Sequence, residues 1–259
     1  MAGRRLRLTR RGLGLATLAA SLTFERVASA FGEEGAFHPR LLLTGTRQPD
    51  RRRRSALGRW SLEVVGRTSS PARLGPSTVR ADGPGLLAEP FAVWSGARAP
   101  EPLTAREVSW LQRYLAMGGI LLVDDEEPRD GSFLRGAKEQ LGRVVPDASP
   151  IAIGDENVVF RSFYLLRKAT GRVQKEAKLE AVVRAGMTQI IYSPNDLLGA
   201  LAREAGGGHP FEPVPGGETQ REQAIRLAVN IAMYVLCSNY KDDQVHAPFL
   251  MRRRGSESP

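Results

Sequence analysis

Three short segments carry side chains that could do chemistry: Asp124-Asp125, Asn195-Asp196, and Asp242-Asp243 followed by His246. If they met in one cleft, their oxygens would crowd negative charge, which is tolerated only with a cation, an Arg or Lys partner, or raised pKa values. Hard oxygen ligands suit Mg²⁺ or Ca²⁺, and His246 would also admit Zn²⁺ or Mn²⁺. A divalent cation is therefore the cofactor these residues allow. The reaction would be metal-assisted hydrolysis, with Asp124 or Asp125 as base or ligand and Asp196, Asp243 and His246 completing the site. Paired carboxylates also run glycoside hydrolysis when their separation suits it. The competing use of the same residues is structural, as caps and turn residues bonded to backbone donors.

The positioning elements are legible around these clusters. Met117 to Asp125 is an apolar run entered through Gly118-Gly119, short enough to be a buried parallel strand over Gly119–Val123. Ligands in open α/β sheets sit beyond the carboxyl ends of such strands, where Asp124 and Asp125 stand. Thr104 and Glu107 have capping-box spacing, and Val108, Leu111, Tyr114 and Leu115 repeat at helical spacing before Gly118. Strand, helix, strand with short joints is a parallel crossover, so the fold class is α/β, a mostly parallel sheet flanked by helices. A first strand is expected in His38–Gly45 and a helix over Arg51–Val65, then a short strand at Ala72–Leu74 or Thr78–Arg80. Leu179–Arg184 and Met187–Ser193 read as paired strands, and Glu218–Leu236 as a helix. Trp94 and Tyr192 lie near strand ends, where they either fill the core or stack on a sugar.

The chain of 259 residues holds one large domain with appendages. Residues 1–30 read as an export signal: Arg4 to Arg11 are basic, Leu13 to Phe24 apolar, and Ala28-Ser29-Ala30 offers a small-residue cleavage site. Arg10 and Arg11, within Thr9 to Gly14, resemble a twin-arginine motif; a general secretory signal is the alternative. Residues 31–252 then form a single α/β domain and 253–259 a basic and polar tail. The address is periplasmic or otherwise extracytoplasmic. Without residues 1–30 the net charge falls from +9 to +4, too little to indicate nucleic acid as a partner. Arg51 to Arg54 read as a solvated basic run, and no apolar run reaches the length of a membrane-spanning helix. The single cysteine, Cys237, excludes a disulfide framework and reads as a small buried core residue.

Several of these segments also carry a family resemblance. Arg113 to Asp125, Arg161-Ser-Phe-Tyr164, Ile191 to Asp196, and Asn230 through Asn239 to Phe249 resemble the bacterial family named domain of unknown function 4159. The likeness runs from about Leu41 to Arg252 and is dense after Pro90. It implies a fold of the class I glutamine amidotransferase-like kind, with flavodoxin-like layering, and brings no established activity. Amidotransferases of that fold carry a cysteine nucleophile on the turn after the strand that here ends in Asp124-Asp125, so the resemblance implies no glutaminase. Related domains associated with sugars make a carbohydrate ligand an expectation by analogy, and family members found beside membrane-anchored modules imply an envelope protein partner. The first functional expectation is thus an exported binding or accessory domain, more readily than an enzyme. The alternative is a metal-dependent hydrolase of a carbohydrate or cell-wall substrate.

Overall fold

The computed structural model describes residues 35–46 and 51–255, with side chains over 35–46 and 53–238. The elements run β1 (Arg40–Leu43), α1 (Arg51–Thr68), β2 (Ser77–Arg80), β3 (Phe91–Gly96), α2 (Ala105–Ala116), β4 (Ile120–Asp125) and α3 (Ser132–Val144). They continue with β5 (Ile151–Ile153), β6 (Leu179–Arg184), β7 (Met187–Ser193), α4 (Leu197–Leu201) and α5 (Gly217–Gly255). Single turns of 3₁₀ helix lie at Pro84–Ala88 and Val158–Phe160. The seven strands form one sheet in the order β2-β1-β3-β4-β7-β6-β5. Pairing is parallel from β2 through β7, and antiparallel where β7 meets β6 and β6 meets β5. The expected α/β class holds, with helices on both faces in flavodoxin-like layering.

The sheet separates two cores, and the pleat decides which side chain enters which. On β4, Ile120 and Leu122 join Trp60, Leu197, Leu198 and Ala228, from α1, α4 and α5. Leu121 and Val123 face the other way, onto Leu111 and Tyr114 of α2 and Phe133 of α3. Successive strand residues point to opposite faces, so a strand buried on both sides must be apolar throughout, as β3 and β4 are until their ends. Tyr192 and Trp94 are core residues here, Trp94 packing edge-on against Phe133 with centroids 5.6 Å apart.

The Thr104 cap forms as its spacing requires: its hydroxyl accepts from Glu107 N, and the Glu107 carboxylate reaches back to Thr104 N at 2.8 Å. At the other end of α2, a Cβ on Gly119 would stand 2.6 Å from the Tyr114 ring and carbonyl, so only glycine lets β4 start so close to the helix it follows. Of the two alternative places for a short strand, the second forms it, as Ser77–Arg80, while Ala72 makes only an isolated bridge to Phe37. The last helix exceeds its expected end at Leu236 and continues to Gly255. The apolar periodicity stops at Leu236, but no glycine follows until Gly255 to terminate the helix.

Candidate functional site

The two carboxylates that end β4 are adjacent in sequence and opposed in space. Asp124 continues the row of Ile120 and Leu122, and Asp125 the row of Leu121 and Val123. A period of two allows no other outcome for a regular strand.

Asp124 is fully buried and crowns α4. Its two carboxylate oxygens accept from Leu197 N and Leu198 N, each at 2.8 Å, the unsatisfied first donors of that helix. Beside it, Asp196 caps the same helix from a left-handed backbone (φ 56°), accepting from Gly199 N at 2.9 Å. Asp196 is also ion-paired with both Arg53 and Arg172. Gly199 permits this packing, since a Cβ there would collide with the Asp196 carboxylate and the Arg53 guanidinium. Both guanidiniums stack on Phe211, Arg53 at 4.4 Å and Arg172 at 5.7 Å from the ring centre. Both also reach the Glu126 carbonyl, at 3.4 and 3.3 Å, and the Glu126 carboxylate accepts from Ser95 Oγ at 2.8 Å.

The electrostatics follow from this crowding. Burial and the neighbouring Asp196 raise the Asp124 carboxyl to about 7, against the pull of the Leu198 and Leu197 N–H groups and the Ser193 hydroxyl. Burial lowers the Arg53 guanidinium, but Asp196 and Glu126 outweigh it and leave its pKa raised. The carboxylate charge on this face is therefore met by two arginines, with Asp124 keeping its proton up to about pH 7.

Asn195, buried between the faces, is spent on the backbone. Its Oδ1 accepts from Lys175 N at 3.0 Å and Glu176 N at 2.9 Å, and its Nδ2 donates to Glu176 O at 2.8 Å and Ala169 O at 3.4 Å. All of its bonding capacity is used in holding residues 169–176 against the end of β7.

Asp125 is the exception. Its Oδ1 accepts from Glu127 N at 3.1 Å, while Oδ2 is buried without a hydrogen-bond partner. Burial raises its pKa, with Glu127 N–H and Lys175 opposing. On this side a cavity of about 470 Å³ opens between the start of α3, residues 175–180 and Pro194, and four basic side chains, Arg135, Lys138, Lys175 and Lys178, line it with two acids, Glu176 and Glu180. A second cavity, of about 430 Å³, lies where the strand order reverses between β1 and β3, lined by Thr44, Trp94 and Glu101. Its rim is closed by Thr46 Oγ1 donating to Glu101 at 3.0 Å and by Gly45 N donating to Glu107 at 2.9 Å.

The structure thus brings Asp124 and Asp196 together, sets Asn195 behind them as a bracket, and sends Asp125 to the opposite face. The side chains of Asp242, Asp243 and His246 lie outside the described residues, as do Arg10, Arg11, Ala28 and Ala30. Among the described residues, no group of three or more His, Cys, Asp or Glu side chains could hold a metal ion. Two readings of the sequence are corrected. Arg53, within the supposedly solvated basic run, is 5% exposed because it is drawn inward by Asp196. Cys237 is exposed rather than buried, since the buried stripe of α5 passes through Ala228, Ile231, Ala232 and Val235 and leaves position 237 outward. Arg172, Lys175 and Phe211 carried no sequence signal, being lone residues in irregular segments; Glu126 was also missed, although its place directly after Asp125 could have pointed to it.

The family described as Domain of unknown function (DUF4159) matches residues 41–236, three quarters of the chain. The chain belongs to the DUF4159 family. The match runs from β1 into α5 and includes every residue of both acidic strand ends, while Asp242, Asp243 and His246 fall beyond it. A search of curated proteins found none that matches this DUF4159 chain.

Proposed function

We propose that this DUF4159 chain is an exported binding domain of the bacterial envelope, with an amidotransferase-like fold that has lost the thiol chemistry of that fold. The observation that carries the reading is the commitment of the strand-end groups. Asp124 caps α4, Asp196 is held by two arginines and Asn195 is saturated by backbone, so all three groups are committed to holding the fold. Where amidotransferases need a cysteine with a lowered pKa, this chain has Asp124 and Asp125, and its one cysteine is on the outer face of α5. An open cavity lies on the Asp125 side of β4, within the usual size range of small-ligand pockets. The ligand or partner is an envelope component, a carbohydrate or a protein.

In this reading the chain is exported through the twin-arginine route. Replacing Arg10 and Arg11 together by lysine, in a fusion to a reporter active only outside the cytoplasm, is expected to abolish the signal; unchanged signal would remove this part of the proposal. No helix among the described residues is long and apolar enough to cross a membrane.

One observation favours the hydrolase alternative: Asp125 has a buried oxygen without a partner and a raised pKa, as a general acid or a cation ligand would. Thermal melting with Mg²⁺, Ca²⁺ and Zn²⁺ separates the two readings. A cation held by the native state alone raises the midpoint by mass action. The binding reading expects no rise. A rise that Asp125→Ala removes would establish the metal site instead.

A further inference from the structure

The surroundings of Gly131 specify what the basic cavity would take. Gly131 precedes α3 with φ 66°, offers no side chain to the helix's first N–H groups, and no acidic residue lies in that helix's first turn. Of these donors, Ser132 N is met by Asp130 Oδ2 at 3.3 Å. A Cβ on Gly131 would stand 3.0 Å from Lys175 Nζ, 3.2 Å from Arg135 Nη1 and 3.8 Å from Asp125 Oδ2. An ammonium, a guanidinium and a carboxylate oxygen therefore crowd around Gly131, so close that a side chain there would press on both cations.

The two cations are steadied by neutral groups rather than acids. Lys175 donates to the Pro128 carbonyl at 2.7 Å and Arg135 to the Asp130 carbonyl at 2.9 Å, so neither charge is cancelled by direct ion pairing. Around the rim, Lys138 is paired with Glu180 at 2.6 Å, and the Asp130 carboxylate faces Arg135 and Lys175 from solvent. Asp125 Oδ2 accepts nothing and is buried behind Gly131, which lines the cavity, 3.8 Å from the Cβ position of that glycine. Leaving a buried acceptor unmet is costly, and a ligand donor would remove that cost.

We propose that this cavity binds a small anion that also carries a hydroxyl group, in chemical class a phosphorylated or carboxylated sugar. Its anionic oxygens sit on Lys175, Arg135 and the first turn of α3, and its hydroxyl donates to Asp125 Oδ2. The first turn of a helix favours anions, a sugar hydroxyl supplies the missing donor, and about 470 Å³ accommodates a hexose. The assignment rests on the binding reading above and deepens it.

The test is calorimetric titration of the purified chain with glucose 6-phosphate, glucuronate, glucose and sodium sulfate. At least one anionic sugar should bind saturably, about tenfold or more tighter than both glucose and sulfate, because charge-assisted bonds and the hydroxyl act together. The tighter of the two identifies phosphate or carboxylate as the anionic group. Lys175→Met should weaken that binding about tenfold or more. Lys178→Glu, at an exposed rim position, should weaken it severalfold without altering the melting midpoint, which keeps the test valid if Lys175→Met folds poorly. Asp125→Asn should weaken the sugar and leave sulfate unchanged. Equal binding of glucose and the anionic sugars, no binding of either anionic sugar, or wild-type affinity in Lys178→Glu would overturn the assignment. If both anionic sugars fail while the chain retains a neutral envelope saccharide or a protein, the binding reading survives without this ligand class. If the chain instead hydrolyses a sugar offered to it, both fall together.

Discussion

Replacing Asp124 by asparagine separates two opposing influences on one buried carboxyl. Burial and Asp196 raise its pKa from 3.8 to about 7. Roughly three pKa units at about 1.4 kcal/mol each amount to about 4 kcal/mol between the two ends of the titration. The native state binds this proton more tightly than the unfolded chain, so the contribution is full below the unfolded value and is lost as pH rises through about 7. Between pH 4 and 7 the slope from this group alone is about 1.4 kcal/mol per pH unit, falling with pH. Asparagine cannot ionise and contributes no slope. It also has one acceptor oxygen where Asp124 offers two, so Leu197 N or Leu198 N loses its partner, at a cost of about 1–3 kcal/mol. At pH 4.5, Asp124→Asn is therefore expected to be the less stable protein, and by pH 8 the order should reverse by about 1–3 kcal/mol. The raised pKa of Asp125 slopes in the same direction but is present in both proteins and cancels in the difference. Urea unfolding at intervals of half a pH unit, followed by the fluorescence of the buried Trp60 and Trp94, measures both curves. A constant gap between them from pH 4.5 to 8 would refute the reasoning, for it would mean that Asp124 is ionised throughout.

Three further outcomes follow from the same geometry. Arg172→Met leaves the buried Asp196 with Arg53 alone and should cost about 3 kcal/mol, near the low end for a broken buried pair, as read by urea unfolding. Gly119→Ala forces a Cβ to within 2.6 Å of the Tyr114 carbonyl and ring, which backbone packing cannot absorb; a loss of about 3 kcal/mol is expected, and a loss below about 1 kcal/mol would show that β4 can shift. Cys237 should react with a thiol reagent in the native protein as fast as in the unfolded one, because it is exposed on α5; strong protection would restore it to the core.

The residues that form the elements were readable because each obeyed a local rule. The Thr104–Glu107 box, the double glycine at 118–119 and the apolar runs of β3 and β4 each fix their own conformation, and together they gave the parallel sheet. The expected single acid-walled cleft was less legible, for a reason also present in the chain. The same alternation that made β4 recognisable requires Asp124 and Asp125 to diverge, whereas reading them as a pair treats them as a loop. The partners of the acids were not legible at all. Arg53 meets Asp196 across 143 positions, and Arg172 comes from an irregular segment whose path depends on the Asn195 bracket. Contacts of that range are set by the assembled sheet and leave no periodic trace in sequence.

The most direct measurement on the binding reading is to equilibrate the purified chain with the soluble saccharide fraction of an envelope extract and weigh, by mass spectrometry, both what it retains and what remains in solution. The expected result is retention of one or a few anionic saccharides at unchanged mass, lost in Lys175→Met. Saccharides that appear cleaved with the mass of one water added, at a rate that Asp125→Asn abolishes, would contradict it and make the β4 edge a catalytic centre.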